Sequence, residues 1–173
     1  MTVNLSALSD FLSTREEEGF SEEIEASFID RIVYTGNGVA KVRELNEEDC
    51  AQEIYELAER NLEVLQEKDI DHINTTHAVL EYNGSEKFVV FQPYTVEPED
   101  DAEEWSQTIV DAYQSHGISL DPKLENFGVQ YDKSGEEIRR GYRDISDPVS
   151  VHAEDKQLAE ELAITHEDNL DYI

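Results

Sequence analysis

The sequence is short of positive charge. It carries 13 Lys and Arg against 42 Asp and Glu, a formal charge of −29 over 173 residues. Nucleic-acid backbones and anionic membranes are held by basic patches, so neither is an expected partner. Cysteine is scarcer still. With Cys50 alone there is no intramolecular disulfide and no cysteine metal cluster. No run approaches about 20 apolar residues, so no membrane-spanning helix is expected. The opening stretch, MTVNLSALSDFLSTREEE, has neither a charged n-region nor a long apolar h-region. A cytoplasmic protein without a signal peptide is therefore expected. The five histidines form no ligand-spaced pair on one helix, which argues against zinc. Internal repeats are absent.

The acidic balance fits disorder, nucleic-acid mimicry or life in concentrated salt. Disorder of the whole chain conflicts with 38% hydrophobic residues that fall in periodic segments. The acids are spread along the whole length, and only six lysines are present. That distribution resembles a halophilic protein, in which salt screens a large net charge.

Leu5, Leu8, Phe11 and Leu12 have helical spacing and predict a short amphipathic helix over the first fourteen residues. Residues 16–25 read as a charged, solvated stretch. FIDRIVYTGNGVAKVREL predicts two strands around a turn at Thr35–Gly38. Asn46, with Asp49 three residues on, predicts a capped helix start. Cys50, Ile54, Leu57, Ala58, Leu62 and Leu65 then follow at helical spacing. HAVLEYNGSEKFVVFQPY predicts a hairpin turning at Asn83-Gly84.

The acidic connector VEPEDDAEE marks a boundary between lobes spanning 1–95 and 96–173. A helix through Trp105, Ile109, Val110, Ala112 and Tyr113 is expected to end near Gly117. A loop and a second hairpin, turning at Asp132–Gly135, come next. That turn has a calcium-loop flavour, but its glycine is two positions early and a closing glutamate is missing, so a plain turn is expected. Leu158, Ala159, Leu162 and Ala163 predict a last short helix. The order gives an α+β fold with mainly antiparallel sheets.

The loop before the second hairpin reads LDPKLENFGV. Asp121 offers a carboxylate able to take a proton from a hydroxyl. Asn126 offers a hard oxygen ligand for a cation. Lys123 offers positive charge beside a transferring phosphoryl group.

This loop resembles the catalytic loop of the protein-kinase-like superfamily, in which an aspartate precedes an asparagine by five residues with a lysine two after the aspartate. Asp121, Lys123 and Asn126 stand at those places. Val39-Ala40-Lys41-Val42 resembles the strand of the phosphate-binding lysine. Glu53, in EIYEL, resembles the helix glutamate that pairs with that lysine, with Glu56 as runner-up. Phe88–Tyr94 resembles the fifth strand and hinge, which implies Phe91 as gatekeeper and Gln92 to Tyr94 facing adenine. Val39 would cover the adenine ring. Asp144, in RDISDP, stands where a second metal-binding aspartate is expected, with Asp147 as substitute.

The resemblance spans residues 28–148. It implies a small two-lobed kinase-like fold with a reduced C-terminal lobe, ATP and magnesium as cofactors, and phosphoryl transfer to a small molecule or a protein partner. Some features depart from the family. Ser119 and Leu120 replace the histidine and arginine before the aspartate. GFSEEIEAS supplies no glycine-rich phosphate loop. Asp144-Ile145-Ser146 replaces Asp-Phe-Gly, and 29 residues follow Asp144. These departures favour a pseudokinase-type binding module as one alternative, and the acidic balance leaves another, an acidic interaction protein such as a nucleic-acid mimic. Arg139, Arg140 and Arg143 are expected either to pair with the acidic surface or to bind a phosphate or an anionic partner near the cleft.

The charge balance makes a direct prediction. The Debye length grows from about 3 Å at 1 M salt to about 10 Å at 0.1 M, so self-repulsion rises as salt is removed. Far-UV circular dichroism should lose its folded signal on dialysis into dilute buffer. An unchanged cooperative melt in both conditions would sink the halophilic reading.

Overall fold

The structure, a computed structural model, describes residues 3–18, 24–25, 30–45, 50–98, 102–118, 120–121 and 124–145. In the first half of the chain, helix α1 (Leu5–Glu18) precedes strands β1 (Ile24–Glu25), β2 (Asp30–Tyr34) and β3 (Val39–Glu44). Helix α2 (Ala51–Glu67) and strands β4 (Thr76–Tyr82) and β5 (Ser85–Gln92) follow. The five strands form one antiparallel sheet in the order β1-β2-β3-β5-β4.

The two-residue period of a strand sorts its side chains between two faces. On β3, Ala40 and Val42 are almost wholly buried. They join Val33, Ala78, Leu80, Val89 and Phe91 in a core that also takes Leu8 and Leu12 of α1. Leu8 and Leu12 lie one turn apart, which points both at this core. Leu5, counted on the same apolar stripe, is exposed.

The β4–β5 turn is built as its sequence requires. Asn83 and Gly84 both have positive φ, 50° and 79°, the geometry in which an Asn-Gly pair costs least. The Asn83 side-chain carbonyl also accepts a hydrogen bond from the Ser13 hydroxyl at 2.8 Å, tying the turn to α1. At the β2–β3 turn the Thr35 amide and hydroxyl both donate to the Gly38 carbonyl, at 2.8 and 3.0 Å.

After α2 the chain turns through Asp69, which takes the positive φ usual for a glycine at a helix end. Helix α3 (Ala102–His116) buries Trp105, Ile109 and Ala112 along one face. A 3-10 turn (Leu124–Asn126) leads into a hairpin of β6 (Phe127–Tyr131) and β7 (Glu137–Tyr142). A second core gathers Leu65, Ile70, Trp105, Ile109, Leu120, Phe127, Val129, Tyr142 and Ile145.

The described residues fall into two compact units. One is drawn from Met1–Leu57 and Asn74–Tyr94, the other from Ala58–Ile73 and Thr95–Ile173. The division is therefore not a single cut along the chain, because residues 58–73 group with the second unit. Their backbone explains this. The Tyr142 amide donates to the Asp71 carbonyl and the Ile73 amide to the Tyr142 carbonyl, both at 2.9 Å.

The fold is α+β with antiparallel pairing throughout both sheets. Three local expectations are corrected. The first helix runs on to Glu18 rather than ending at fourteen. A two-residue strand, Ile24–Glu25, lies inside the stretch read as solvated, too short for alternation to reveal. Cys50 is exposed and precedes α2 instead of opening its buried face. The cap at Asn46–Asp49 and the helix through Leu158–Ala163 lie outside the described residues. No helix among the described residues is long and apolar enough to cross a membrane.

Gly141 has a φ of 149°, and a Cβ there would meet the Asp71 carbonyl carbon and the His72 amide nitrogen at 2.4 Å. Both are backbone atoms in the second unit's ladder and have little room to yield. Gly141→Ala should therefore cost about 3 kcal/mol in denaturant unfolding, from overpacking and backbone strain together. A loss below about 0.5 kcal/mol, the size of an ordinary surface change, would contradict the close approach.

Candidate functional site

Within the first unit, Val39 and Lys41 share one face of β3, opposite to Ala40 and Val42. Their cross-strand partners on β5 are Gln92 and Val90 respectively. Val39 and Lys41 are both half-buried. Gln92 is buried, and its amide donates to the Thr75 hydroxyl at 2.9 Å.

The gatekeeper assignment is corrected. Phe91 pairs with Ala40 and packs in the core beneath α1, on the face away from Lys41. Gln92 and Val90 are the β5 side chains that share the lysine's face. The run Phe88-Val89-Val90-Phe91 is apolar at every position, so the sequence offers no alternation from which to assign faces.

Tyr94 is half exposed and stacks on Tyr34, with ring centroids 6.2 Å apart and planes 13° from parallel. Its hydroxyl donates to the Thr35 carbonyl. Glu53 stands in the first turn of α2 and is exposed, as is Glu56.

In the second unit, buried Leu120 and buried Phe127 anchor the two ends of the LDPKLENFGV loop. Between them the Asn126 side-chain amide donates to the Asp121 carbonyl at 3.5 Å, the outer edge of hydrogen-bonding range. Asn126 is buried and Asp121 half-buried. The Asn126 backbone carbonyl in turn accepts the Arg143 amide at 2.7 Å. The segment after β7 that carries Asp144 is thus fastened to the turn that carries Asn126. Beyond it, the Asn61 side chain of α2, fully buried, donates to the Ile145 carbonyl at 3.4 Å. The structure brings Asp121, Asn126 and the backbone of Asp144 together. Lys123 lies outside the described residues.

The three clustered arginines are engaged within the unit. Arg140 forks onto the Glu137 carboxylate and lies over the Trp105 ring, 5.7 Å from its centroid. Arg139 donates to the His72 carbonyl at 3.3 Å. Arg143 reaches the Glu125 carbonyl at 2.5 Å and the Thr95 hydroxyl at 3.1 Å. Burial pushes its guanidinium below the usual value, and the carboxylates of Glu97, Glu125 and Asp144 oppose that shift. The sequence reading had not singled out Asn61 or Thr95. The sequence marks Asn61 only as an asparagine at helical spacing from Ala58 and Leu65, which does not reveal its partner.

Among the described residues, no group of three or more His, Cys, Asp or Glu side chains could hold a metal ion. Magnesium bound with a nucleotide needs only one or two protein ligands, because phosphates and water supply the rest. Asn126 and Asp144 fit that smaller requirement by ligand type. With the Asn126 nitrogen donating to the Asp121 carbonyl, its side-chain oxygen is the atom that could ligate a cation.

No protein-family model, curated protein or solved structure matches the chain.

The β6–β7 turn is a plain hairpin turn. The Asp132 carboxylate accepts the Ser134 hydroxyl at 2.6 Å, the Ser134 amide at 2.8 Å and the Glu136 amide at 2.9 Å. These donors, the Ser134 hydroxyl first, hold the carboxyl below its ordinary value. A depressed carboxyl stabilises the fold above its unfolded value and loses that contribution as pH falls through the folded one. An NMR titration should show the Ser134 and Glu136 amides shifting below the ordinary carboxylate range of about 4. Asp132→Asn should keep the turn and abolish that titration. A carboxyl that titrates at or above its ordinary value would contradict the turn geometry.

Proposed function

We propose that the chain is a kinase-like protein that binds ATP with magnesium and transfers phosphate to a small molecule or a protein. The observation that carries this reading is the closure of the Asp121–Asn126 loop. The Asn126 amide bonds the Asp121 carbonyl, and the Arg143 amide bonds the Asn126 carbonyl. These bonds tie the backbone of Asp121 and of Arg143, the neighbour of Asp144, to Asn126, so residues 23 positions apart from first to last belong to one turn, which supports reading them as a base, a metal ligand and a second carboxylate. A chance Asp-x-x-x-x-Asn spacing in an acidic chain carries no such need for the segment of Asp144 to close on it.

The first unit supports the same reading by its element order. Lys41 lies on β3, which is flanked by β2 and β5, and α2 with Glu53 connects β3 to β4. In this reading Lys41 and Glu53 position phosphates, Val39 and Gln92 line the adenine edge, Asp121 is the base, and Asn126 and Asp144 hold magnesium. Lys123 adds charge beside the transferring group.

A second reading, binding without turnover, is favoured by the stretch GFSEEIEAS, which carries one glycine and three glutamates where the resemblance calls for a glycine-rich phosphate loop. Carboxylates there repel a nucleotide's phosphates and oppose productive closure.

ATP binding and hydrolysis in multimolar KCl, with and without magnesium, test the two readings. Asp121→Ala removes the base and leaves the metal ligands, so turnover should fall by about 10²–10⁴ with little change in affinity. Asn126→Ala and Lys41→Ala should weaken magnesium-dependent binding itself. Wild-type binding without turnover, matched by Asp121→Ala, selects the binding module. Failure of the wild type to bind any nucleotide removes both readings and leaves the acidic interaction protein.

A further inference from the structure

We infer that Arg143 is a positioning residue, a clamp that fastens the Thr95–Glu97 segment to the Glu125–Asn126 turn and so sets Asn126 and Asp144 beside one another. Its chemical consequence rests on the magnesium-nucleotide reading. The clamp itself rests on geometry alone.

Four ties of this one residue carry the clamp. Its backbone amide donates to the Asn126 carbonyl at 2.7 Å. Its Nε donates to the Glu125 carbonyl at 2.5 Å and its Nη1 to the Thr95 hydroxyl at 3.1 Å. Its Nη2 lies 3.9 Å from the Glu97 carboxylate. A guanidinium reaches three acceptors at once because its donors diverge in one rigid plane, whereas a lysine ammonium offers a single point.

The neighbours are shaped for this contact. Gly128 on β6 lets Thr95 approach so closely that a Cβ there would lie 2.8 Å from both its Cβ and its hydroxyl oxygen. Val96 and Val129 exchange two backbone hydrogen bonds, at 3.0 and 2.9 Å, which fix the same segment to the same strand. The nearest acceptors are a carbonyl and a hydroxyl. The carboxylate tie, to the exposed Glu97, is the longest of the four. A surface ion pair of that kind contributes little and is screened by salt. Three of these ties go to neutral oxygen acceptors, which concentrated salt does not screen as it screens an exposed ion pair.

The test uses the full chain in concentrated KCl. Amide hydrogen exchange and magnesium-dependent ATP affinity are measured for wild type, Arg143→Lys, Arg143→Gln and Thr95→Val, each with and without Asn126→Ala. Arg143→Gln should speed exchange at the Val96 and Arg143 amides by about tenfold, the worth of a charged hydrogen bond, and leave the amides of β3 and β5 unchanged. Thr95→Val, which keeps the shape and loses the acceptor, should show the same pattern more weakly. Arg143→Lys should lie between wild type and Arg143→Gln.

Affinity should fall about tenfold in Arg143→Gln, yet by less than about threefold once Asn126 is already alanine, because both changes act on one ligand. A merely structural arginine would give losses that multiply. Unchanged exchange at Val96 and Arg143, or fully multiplying losses, overturns the inference. Absence of ATP binding in the wild type removes the nucleotide reading instead, and the exchange pattern alone then decides the clamp.

Discussion

The end of β7 is the constraint on which the second unit depends. Tyr142 and Arg143 bond on both sides within two residues. Tyr142 exchanges hydrogen bonds with Asp71 and Ile73, while the Arg143 amide bonds the carbonyl of Asn126. Three stretches distant in sequence are thereby fixed by backbone groups that no side-chain change can remove. The Tyr142 ring is fully buried in the same core and meets Phe127 edge-on, with centroids 5.4 Å apart. Gly141 makes the approach possible, because any side chain there would occupy the space of the Asp71–His72 peptide. Apolar burial and ladder pairing act here on the same few residues. Neither would hold the junction alone, since unpaired backbone groups in a core cost as much as the burial returns.

Scarce positive charge shapes the rest of the unit. Arg140 spans a carboxylate and an indole ring, and Arg143 spans two backbone segments. In the first unit Lys87 is buried over the Tyr82 ring, and Arg15 lies over Phe11. In each of these the aliphatic stem or guanidinium plane covers apolar surface while the charge meets an electron-rich partner. These four cations serve as internal fasteners.

Much of the fold was legible because its signals are local. The Asn83-Gly84 and Thr35–Gly38 turns lie where turn chemistry puts them. The stripe through Ala58 and Leu65, and that through Trp105, Ile109 and Ala112, became buried helix faces. Element type follows from such patterns within a few residues. Faces do not, when a strand is apolar throughout, and Phe91 was misplaced for that reason. The site was legible at Asp121 and Asn126, whose spacing lies inside one loop. It was illegible at Arg143, Thr95 and Asn61, whose partners sit 18 to 84 positions away. No spacing rule connects residues that only the folded chain brings side by side. The allocation of residues 58–73 to the second unit is of the same kind, since it depends on pairing with a strand about 70 residues later in the chain.

Trp105 is the only tryptophan in the chain. It is buried in the second core, with its ring centroid 5.0 Å from that of Phe127 and the Arg140 guanidinium over its face. The first unit has tyrosines but no indole. The molecule therefore carries a natural optical label on one unit only. Emission excited at the red edge of the absorption band follows the solvent exposure of the second core, while far-UV dichroism reports the whole backbone. If the two signals part company as salt is withdrawn, the units lose their order separately. If they coincide, unfolding is a single cooperative event.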